Sequence, residues 1–426
     1  DKSIRKKEGF AIVALGWIFV SLFSSMPYHF SGVFDHPVDA FFETVSGLTT
    51  TGATVLEDIE SVPQLLLLWR SLTQWIGGMG IIVLTVAILP LLGVGGAELF
   101  VAEAPGPTSN KIHPRIRETA KRLWYIYVGL TAILVLALSF VGMTVFDAIN
   151  HGLTTMATGG FSTKTASIAY YEQPLVHYII TLFMFVAGVN YTVIYFGVKL
   201  RWKRVLKSDE FKTYVIGVIA LVLSLTLYLY FNEQYDLERS FRTASFQIVS
   251  IITTTGYVTE DYTSWSPLIS LLFFCLLFSG ACAGSTSGGI KVIRHLVLFK
   301  NSLLEFKRLL HAKALIRIKI DGNVVQPRVM THILVFLLLY LGTFVIGSLV
   351  MSTVLYDFDE PMLSAMGSVA TSLGNVGPSI ADLGPVDNFA AIPLAGKGFL
   401  SFLMLLGRLE IFTVLILLTP YFYRTN

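Results

Sequence analysis

The stretch ASFQIVSIITTTGYV at residues 244–258 has three counterparts in the same chain. They read AFFETVSGLTTTGAT at 40–54, AINHGLTTMATGGFS at 148–162 and AMGSVATSLGNVGPS at 365–379. Each copy begins with an alanine and has a glycine twelve residues later, so all four align without gaps. Each starts as a short helical pattern and ends in Thr, Ser, Asn and Gly residues that break a helix. Four copies in one register indicate an internal repeat, which a single Thr-Thr-Gly triplet does not.

Long apolar segments flank every copy. Of the 426 residues, 54% are hydrophobic and 14% are charged, and the mean hydropathy is +0.68. A soluble protein of this length needs more charge to cover its surface. Eight segments approach or exceed the roughly 20 residues that cross a bilayer, at about 9–28, 64–92, 123–146, 174–200, 211–231, 266–299, 329–356 and 397–423.

Charge alternates between the two ends of these segments. Basic clusters occupy 2–7, 111–122, 199–212 and 291–319, whereas the intervening connections carry acidic residues such as Glu57, Glu260 and Asp359. An excess of Lys and Arg marks the cytoplasmic side of a membrane protein, which predicts that both termini are cytoplasmic. The acidic connections then face outside, either as ordinary solvated loops or as attractors that concentrate cations.

The four repeats suggest a pore. Backbone with unpaired polar groups is tolerated at membrane depth only where it is buried in protein or lines an aqueous cavity. Four glycine-centred turns around one axis would present carbonyl oxygens to a dehydrating cation, and each short helix would direct its negative end toward that cation. The alternative is that these are four ordinary loops with turn glycines.

The sequence therefore predicts an all-α membrane protein with four covalently linked helix–pore loop–helix repeats around a central pseudo-fourfold pore. The predicted repeats span 1–97, 98–205, 206–320 and 321–426. The second span of the third repeat, 266–299, is interrupted by GACAGSTSGG at 280–289. Small and hydroxylated residues break a helix in mid-membrane, and broken spans point to a transport site or a moving part. The alternative is a plain turn between two half-length helices.

Arg408 falls near the middle of the last apolar segment. A charge at that depth is costly, by about 2.5–3.5 kcal/mol on insertion scales, so it should face protein or water. Glu410 lies about 200° further around a helix and is not expected to pair with it. We expect Arg408 to contact the 280–289 loop as an electrostatic barrier, the alternative being a salt bridge to another span. A pair between Glu43 and Arg70 is compatible with their positions.

The segments TTTGAT, ATGGFST, TTTGYV and GNVGPS, with WIGGMGI at 75–81 and GRLE at 407–410, resemble the Trk/Ktr/HKT superfamily of potassium transporters. The TrkH branch of bacterial Trk systems is the most similar, and the resemblance covers essentially the whole chain. It implies a filter with K⁺ as the bound, transported ion and no organic cofactor. The implied filter residues are Thr50, Thr51, Gly52, Thr158, Gly159, Gly160, Thr254, Thr255, Gly256, Asn375, Val376 and Gly377. The implied gate residues are Gly280, Gly284, Ser285, Thr286, Gly288, Gly289, Lys291 and Arg408.

The resemblance also implies a homodimer in a bacterial inner membrane, regulated by a cytosolic nucleotide-binding ring like TrkA. The family usually carries an additional helical hairpin before the first repeat, which is absent from this sequence and compatible with truncation. Serine at the first filter glycine accompanies sodium transport in related plant proteins, so Gly52 favours potassium. The basic segments 199–212 and 291–319 could dock an acidic partner or anionic lipid.

Three functions are compatible with the sequence. The first is a gated potassium uptake pore driven by the membrane potential, and the second is a sodium- or proton-coupled potassium symporter. The third, a membrane scaffold without transport activity, leaves the four matched glycine stretches without a purpose. An enzyme is not expected, because the sequence has no nucleophile–base pair, metal cluster or cofactor loop, and no nucleic-acid partner is expected either.

Overall fold

A computed structural model of the chain describes residues 6–83, 112–311 and 317–423. The described part is predominantly helical, with one two-stranded hairpin, and the predicted all-α class is confirmed. The helices of the described residues in the first half of the chain are α1 (Lys6–Ser24), α2 (Met26–Ser31), α3 (Pro37–Leu48), α4 (Gln64–Val83), α5 (Ile112–Phe140), α6 (Val145–Met156), α7 (Pro174–Ala187), α8 (Tyr191–Val198) and α9 (Trp202–Val205).

The second half of the chain continues the helical pattern. Its helices are α10 (Asp209–Asn232), α11 (Leu237–Ile252), α12 (Pro267–Leu276), α13 (Val292–Leu310), α14 (Pro327–Val354), α15 (Pro361–Gly374), α16 (Leu394–Arg408), α17 (Phe412–Leu415) and α18 (Pro420–Tyr423). The hairpin consists of β1 (Lys319–Ile320) and β2 (Asn323–Val324), which pair in antiparallel register. Short 3₁₀ turns lie at Ser167–Tyr170, Ala381–Leu383 and Ile416–Leu418.

The helices α3, α6, α11 and α15 are the short helices of the four repeated stretches. Local chemistry defines where they begin. Pro37 and Pro361 start α3 and α15, where the missing N–H of proline is not needed. Thr144 caps α6 by accepting a 3.1 Å hydrogen bond from the backbone N–H of Asp147, and Asp236 caps α11 in the same way.

The short helices pack in a closed order around the molecule. Each packs against a long helix of its own repeat, and α4 and α7 in addition pack against the short helices that follow them, α6 and α11. In the same way α16, near the end of the chain, packs against α3, near its beginning. The last repeated stretch therefore lies beside the first, and the four are arranged in a ring.

Within the residues that the structure describes, five helices are long and apolar enough to cross a membrane, judged by length and composition. They are Glu8–Ser31, Gln64–Ile82, Glu118–Phe140, Asp209–Asn232 and Pro327–Val354. Four of them leave most of their apolar window exposed, with 22–33% of it buried, as expected for helices that face lipid. Gln64–Ile82 is 56% buried because it lies deeper in the assembly of helices.

The predicted fourth and eighth segments, 174–200 and 397–423, are not continuous helices. The chain bends by 107° between α7 and α8, and by 110° between α16 and the segment 412–418. The count of crossing segments reaches seven within the described residues if each bent pair is one span. The predicted interruption of 266–299 is present, because α12 ends at Leu276 and α13 starts at Val292. The predicted repeat boundary at 97/98 lies outside the described residues.

Candidate functional site

Each short helix ends in the same backbone turn. The residue ten positions after the repeat alanine has a positive φ in all four copies: Thr50 (53°), Thr158 (55°), Thr254 (56°) and Asn375 (54°). The glycine two positions later has one as well: Gly52 (86°), Gly160 (78°), Gly256 (78°) and Gly377 (106°). A non-glycine residue at positive φ is uncommon. Its recurrence at one register position therefore identifies one turn built four times, and we call residues 50–52, 158–160, 254–256 and 375–377 the four glycine turns.

Hydrogen bonds that end the helix hold each turn. The backbone N–H of Thr50 donates to the carbonyl of Gly47 at 2.9 Å, and that of Thr51 donates to Ser46 at 2.8 Å. The corresponding bonds recur as Thr158 to Thr155 and Gly159 to Thr154, Thr254 to Ile251 and Thr255 to Ser250, and Asn375 to Ser372 and Val376 to Thr371. This pattern is the left-handed helix cap. It uses the N–H groups of the turn and keeps the turn carbonyls out of the helix ladder.

The four glycine turns meet in a closed ring of contacts. A Cβ atom added to each turn glycine would overlap a carbonyl oxygen of the next turn. The pairs are Gly52 with Gly159, Gly160 with Thr255, Gly256 with Val376, and Gly377 with Thr51. The last pair returns to the first turn, so the four turns surround one axis in chain order. The predicted filter residues are thus brought together, and the positive φ and close contact both require glycine.

A buried ion pair ties the first turn to the second. Arg70 on α4 donates from Nε to Glu43 on α3 at 2.6 Å, and from Nη1 to the carbonyl of Ser162 at 2.8 Å. The Glu43 carboxylate also accepts hydrogen bonds from Thr54 Oγ1 and from the backbone N–H of Val55, both at 3.0 Å. Both side chains are almost fully buried. The pair therefore fixes the segments that leave two neighbouring turns.

The position of Glu43 is polar in every repeat. It lies three residues after the repeat alanine, where the other copies have His151, Gln247 and Ser368. His151 Nε2 lies 3.0 Å from Ser162 Oγ, and Gln247 Nε2 donates to the carbonyl of Glu260 at 2.7 Å. Sequence reasoning noted a possible Glu43–Arg70 pair but missed this shared position, which the fourfold register would have revealed.

The side chain after the turn glycine inserts between neighbouring repeats in the second and third copies. Phe161 lies under the Arg70 guanidinium, 3.6 Å from its carbon atom to the ring centroid. Tyr257 is buried, and its hydroxyl lies 2.5 Å from Thr154 Oγ1 on the preceding short helix. Each aromatic ring thereby stabilises its turn, because it fills the space between that turn and the preceding repeat.

The 280–289 loop folds back on itself beside the turns. The backbone N–H of Gly280 donates to the carbonyl of Ile290 at 2.8 Å, and the N–H of Ile290 donates to Phe278 at 2.9 Å, which closes the base of the loop. Near the end of the loop, the N–H of Gly288 donates to Thr254 Oγ1 at 2.7 Å. The loop therefore contacts the third glycine turn directly. The predicted gate residues Gly280, Gly284, Ser285, Thr286, Gly288 and Gly289 all belong to it.

Lys291 and Glu210 also hold this loop. The Lys291 ammonium group donates to the carbonyl and hydroxyl oxygens of Ser287. The Glu210 carboxylate accepts from the backbone N–H groups of Ala283 at 2.7 Å and Ile293 at 3.2 Å. Glu210 lies on α10 and is buried. It was missed from the sequence, where it lies in a basic segment and looks like an ordinary acidic residue of a helix start.

Arg408 ends α16 at the sharp bend of the last predicted span and contacts the 280–289 loop, as expected. Its Nη1 donates to the carbonyl of Thr286 at 2.8 Å, and Thr286 Oγ1 donates to the carbonyl of Met156 at 3.2 Å. Glu410 does not pair with Arg408 but forms an ion pair with Arg294 on α13. The bend therefore brings Arg408 to the 280–289 loop and Glu410 to α13, the helix that follows this loop.

Outside the helices, Glu60 links the connections that follow the first two glycine turns. Its carboxylate accepts hydrogen bonds from Thr165, one from the backbone N–H at 3.1 Å and one from Oγ1 at 2.5 Å. Burial alone would raise the pKa of Glu60, but these hydrogen bonds outweigh it and hold the pKa below its ordinary value. The carboxylate is thus kept charged on the acidic side of the molecule.

Comparisons with known proteins identify the family of this chain. The family model "TrkH: Cation transport protein" matches residues 1–421. The chain belongs to this TrkH family. It is 43% identical to the Trk system potassium uptake protein TrkH of Salmonella typhimurium, over 99% of this chain and 87% of that protein. It is 36% identical to the Trk system potassium uptake protein TrkG of Escherichia coli, over 99% of this chain and 86% of that protein.

A solved structure of the TrkH family agrees with the fold. The crystal structure of the potassium transporter TrkH from Vibrio parahaemolyticus superposes with a TM-score of 0.89 at 39% identity, covering 100% of this chain and 87% of that one. The resemblance read from the sequence is therefore confirmed. A TrkH family member is a transporter and not an enzyme, which agrees with the expectation from the sequence.

Proposed function

We propose that the chain is the potassium-conducting subunit of a Trk system, in which the four glycine turns form one selectivity filter. The ring of glycine–carbonyl contacts supports this proposal, because each turn glycine lies against a backbone carbonyl oxygen of the next turn. Carbonyl oxygens in such a ring replace the hydration shell of a dehydrated alkali ion. Potassium is the ion named for the relatives that share up to 43% of the sequence.

The short helices favour a cation at this ring. Each of α3, α6, α11 and α15 runs into a glycine turn with its C-terminal end. The unpaired carbonyl groups at a helix C-terminus carry a partial negative charge, equivalent to roughly half an elementary charge for a full helix. Four such ends around one axis attract a monovalent cation and repel an anion, which is the selectivity by sign that the proposed function requires.

The 280–289 loop and Arg408 are the proposed gate. The loop touches the third turn through Gly288, and Arg408 holds it through Thr286. A guanidinium group beside the inner end of a cation pathway raises the energy of an approaching cation. Withdrawal of the loop together with Arg408 would remove both the physical obstruction and the positive charge. We propose that this movement opens the pathway.

An uncoupled pore is favoured over a sodium- or proton-coupled symporter. Glu43, a buried carboxylate on the short helix of the first repeat, is already held by Arg70, Thr54 and Val55. It is therefore not placed to take up and release a coupling ion during each cycle. The membrane potential supplies about 2.3 kcal/mol per charge per 100 mV, which concentrates a monovalent cation about fiftyfold without coupling.

The proposed assembly follows the expectations from the sequence. The subunit pairs with a second copy in a bacterial inner membrane, with both termini cytoplasmic, and a cytosolic nucleotide-binding ring controls the gate. The basic segments 199–212 and 291–319 offer this ring or anionic lipid a docking face. The four proposed repeats are 1–97, 98–205, 206–320 and 321–426, and the third contains the gate loop.

Reversal potentials test the function. Purified protein in planar bilayers should pass current with only potassium salts present, and its reversal potential should follow the potassium gradient when sodium is on the opposite side. Current that persists without sodium and across a range of pH supports the uncoupled pore. A strict requirement for sodium, or a reversal potential that follows the proton gradient, supports the symporter. Absence of cation current in folded protein contradicts both.

A further inference from the structure

Gln74 on α4 lies against the second glycine turn, and its side chain is fully buried. Its Nε2 donates to the carbonyl oxygen of Gly159 at 2.6 Å. Its Oε1 accepts from the backbone N–H of Phe161 at 3.1 Å. The two hydrogen bonds hold the segment 159–161 on both sides of Gly160. One residue of the first repeat therefore fixes the backbone of the second turn.

The second turn differs from the other three at one position. Thr51, Thr255 and Val376 precede the turn glycine elsewhere, whereas Gly159 does so in the second turn. The φ of Gly159 lies outside the left-handed region, so the backbone does not demand glycine there. A Cβ atom at Gly159 would overlap the amide group of Gln74. The glycine is therefore required by the Gln74 side chain and not by the turn.

The fourth repeat lacks this amide at the matching place. Gln74 lies three residues before Gly77, where an added Cβ would overlap the carbonyl of Leu48 at the end of α3. Met404 lies three residues before Gly407, which meets Leu373 near the end of α15 in the same way. A methionine thioether cannot donate a hydrogen bond. The first repeat thus supplies a hydrogen-bond donor to a turn carbonyl at a position where the fourth repeat does not.

The Gly159 oxygen is the one that lies against Gly52 in the ring of four turns. We propose that Gln74 is a selectivity-determining positioning residue, which fixes the Gly159 peptide plane and weakens the field of its carbonyl oxygen. An oxygen that shares its electron density with an N–H donor attracts a small cation less strongly, and field strength is one determinant of K⁺ over Na⁺ selection. This inference rests on the proposed function of the ring as a filter.

Reversal potentials in planar bilayers with opposing potassium and sodium gradients test the inference on the purified full chain. Gln74→Met keeps the volume, removes the donor and copies Met404. It should lower the K⁺/Na⁺ permeability ratio by about fivefold, the factor expected for one lost hydrogen bond of ordinary strength. Thr131→Val is the matched control. It removes the 3.2 Å hydrogen bond from Trp75 Nε1, on the same helix, without touching a turn, and should leave the ratio unchanged.

A second variant keeps the test decisive if Gln74→Met does not fold. Gln74→Ala combined with Gly159→Thr gives the second turn the Thr-Thr-Gly sequence of the first and third, and it should also lower the ratio. Gly159→Thr alone should fold poorly, because the introduced side chain would overlap Gln74. A wild-type ratio in either folded Gln74 variant overturns the inference. Wild-type protein without selective cation current overturns the proposed function instead.

Discussion

Replacing Arg70 with leucine should destabilise the protein more than any nearby surface change. Arg70 is 2% exposed and bonds both Glu43 and the carbonyl of Ser162. Without it, the fully buried Glu43 carboxylate keeps only Thr54 and the N–H of Val55 as partners. Removal of one member of a buried ion pair leaves an uncompensated charge and typically costs about 3–5 kcal/mol. Loss of the contact with the Phe161 ring adds to this by about 0.5–2 kcal/mol.

The third and fourth repeats suggest the matched control. Gln247 stands at the register position of Glu43, and Leu400 precedes Gly407 by seven residues, as Arg70 precedes Gly77. The double variant Glu43→Gln with Arg70→Leu removes both charges and adopts side chains that the chain already uses at these places. Because no buried charge remains unpaired, it should recover most of the stability that Arg70→Leu loses.

The assay is thermal unfolding of detergent-solubilised protein, followed by the loss of the monodisperse peak in size-exclusion chromatography after heating. Wild type, both single variants and the double variant complete the cycle. The midpoint temperature should be highest for the wild type, lower for the double variant and lowest for Arg70→Leu. An Arg70→Leu protein that is as stable as the double variant would refute the argument that the pair is held by buried, coupled charge.

Three further predictions follow from the same contacts. Arg408→Ala should raise cation efflux from liposomes, because the barrier charge is gone, and unchanged or lower flux from folded protein would count against the gate. Gly160→Ala should abolish potassium uptake in a transport-deficient strain, because its Cβ would overlap the Thr255 carbonyl at a φ of 78°; normal uptake would exclude close packing of the ring. The Glu60 link to Thr165 should stabilise the protein above the ordinary carboxyl pKa and be lost as pH falls through the lowered pKa of the folded state. Glu60→Gln should therefore flatten the acid limb of a pH–stability profile, and an unaltered limb would show that the link contributes nothing.

Much of the fold could be read from the sequence because the signal is repeated. The alanine–glycine offset of twelve residues places the end of each short helix, and the φ values of all four turns follow that register. The interruption at 280–289 was equally readable, since four glycines within ten residues cannot continue a helix. These features depend on local chemistry, which a single sequence records.

The bend in the eighth predicted span could not be read in the same way. Glu410 and Ile411 adopt positive φ values of 62° and 35° that no local preference favours. Their conformation is stabilised by distant partners, since Glu410 pairs with Arg294 and Arg408 with the carbonyl of Thr286. Such contacts join residues more than a hundred positions apart, so only the tertiary structure reveals them.

The hairpin at 319–324 was missed although a local signal was present. Asp321 and Gly322 both adopt positive φ, at 52° and 84°, as a two-residue Asp-Gly hairpin turn requires. The turn lies directly after the basic segment 291–319, which was interpreted by its charge alone. The Gln74 contact was missed for a different reason. It depends on Gly159, which stands where the first and third repeats have threonine. Only the packed structure shows that the Gln74 side chain fills the space that this glycine leaves.

The central claim is that four glycine turns from one chain bind a single dehydrated cation on their common axis. A structure determined with thallium(I) in place of potassium measures this directly, because anomalous scattering locates the ion without reference to the protein. The account predicts an anomalous peak enclosed by the carbonyl oxygens of Thr51, Gly159, Thr255 and Val376. An ordered ring with no peak, or a peak only at sites away from the axis, would contradict it.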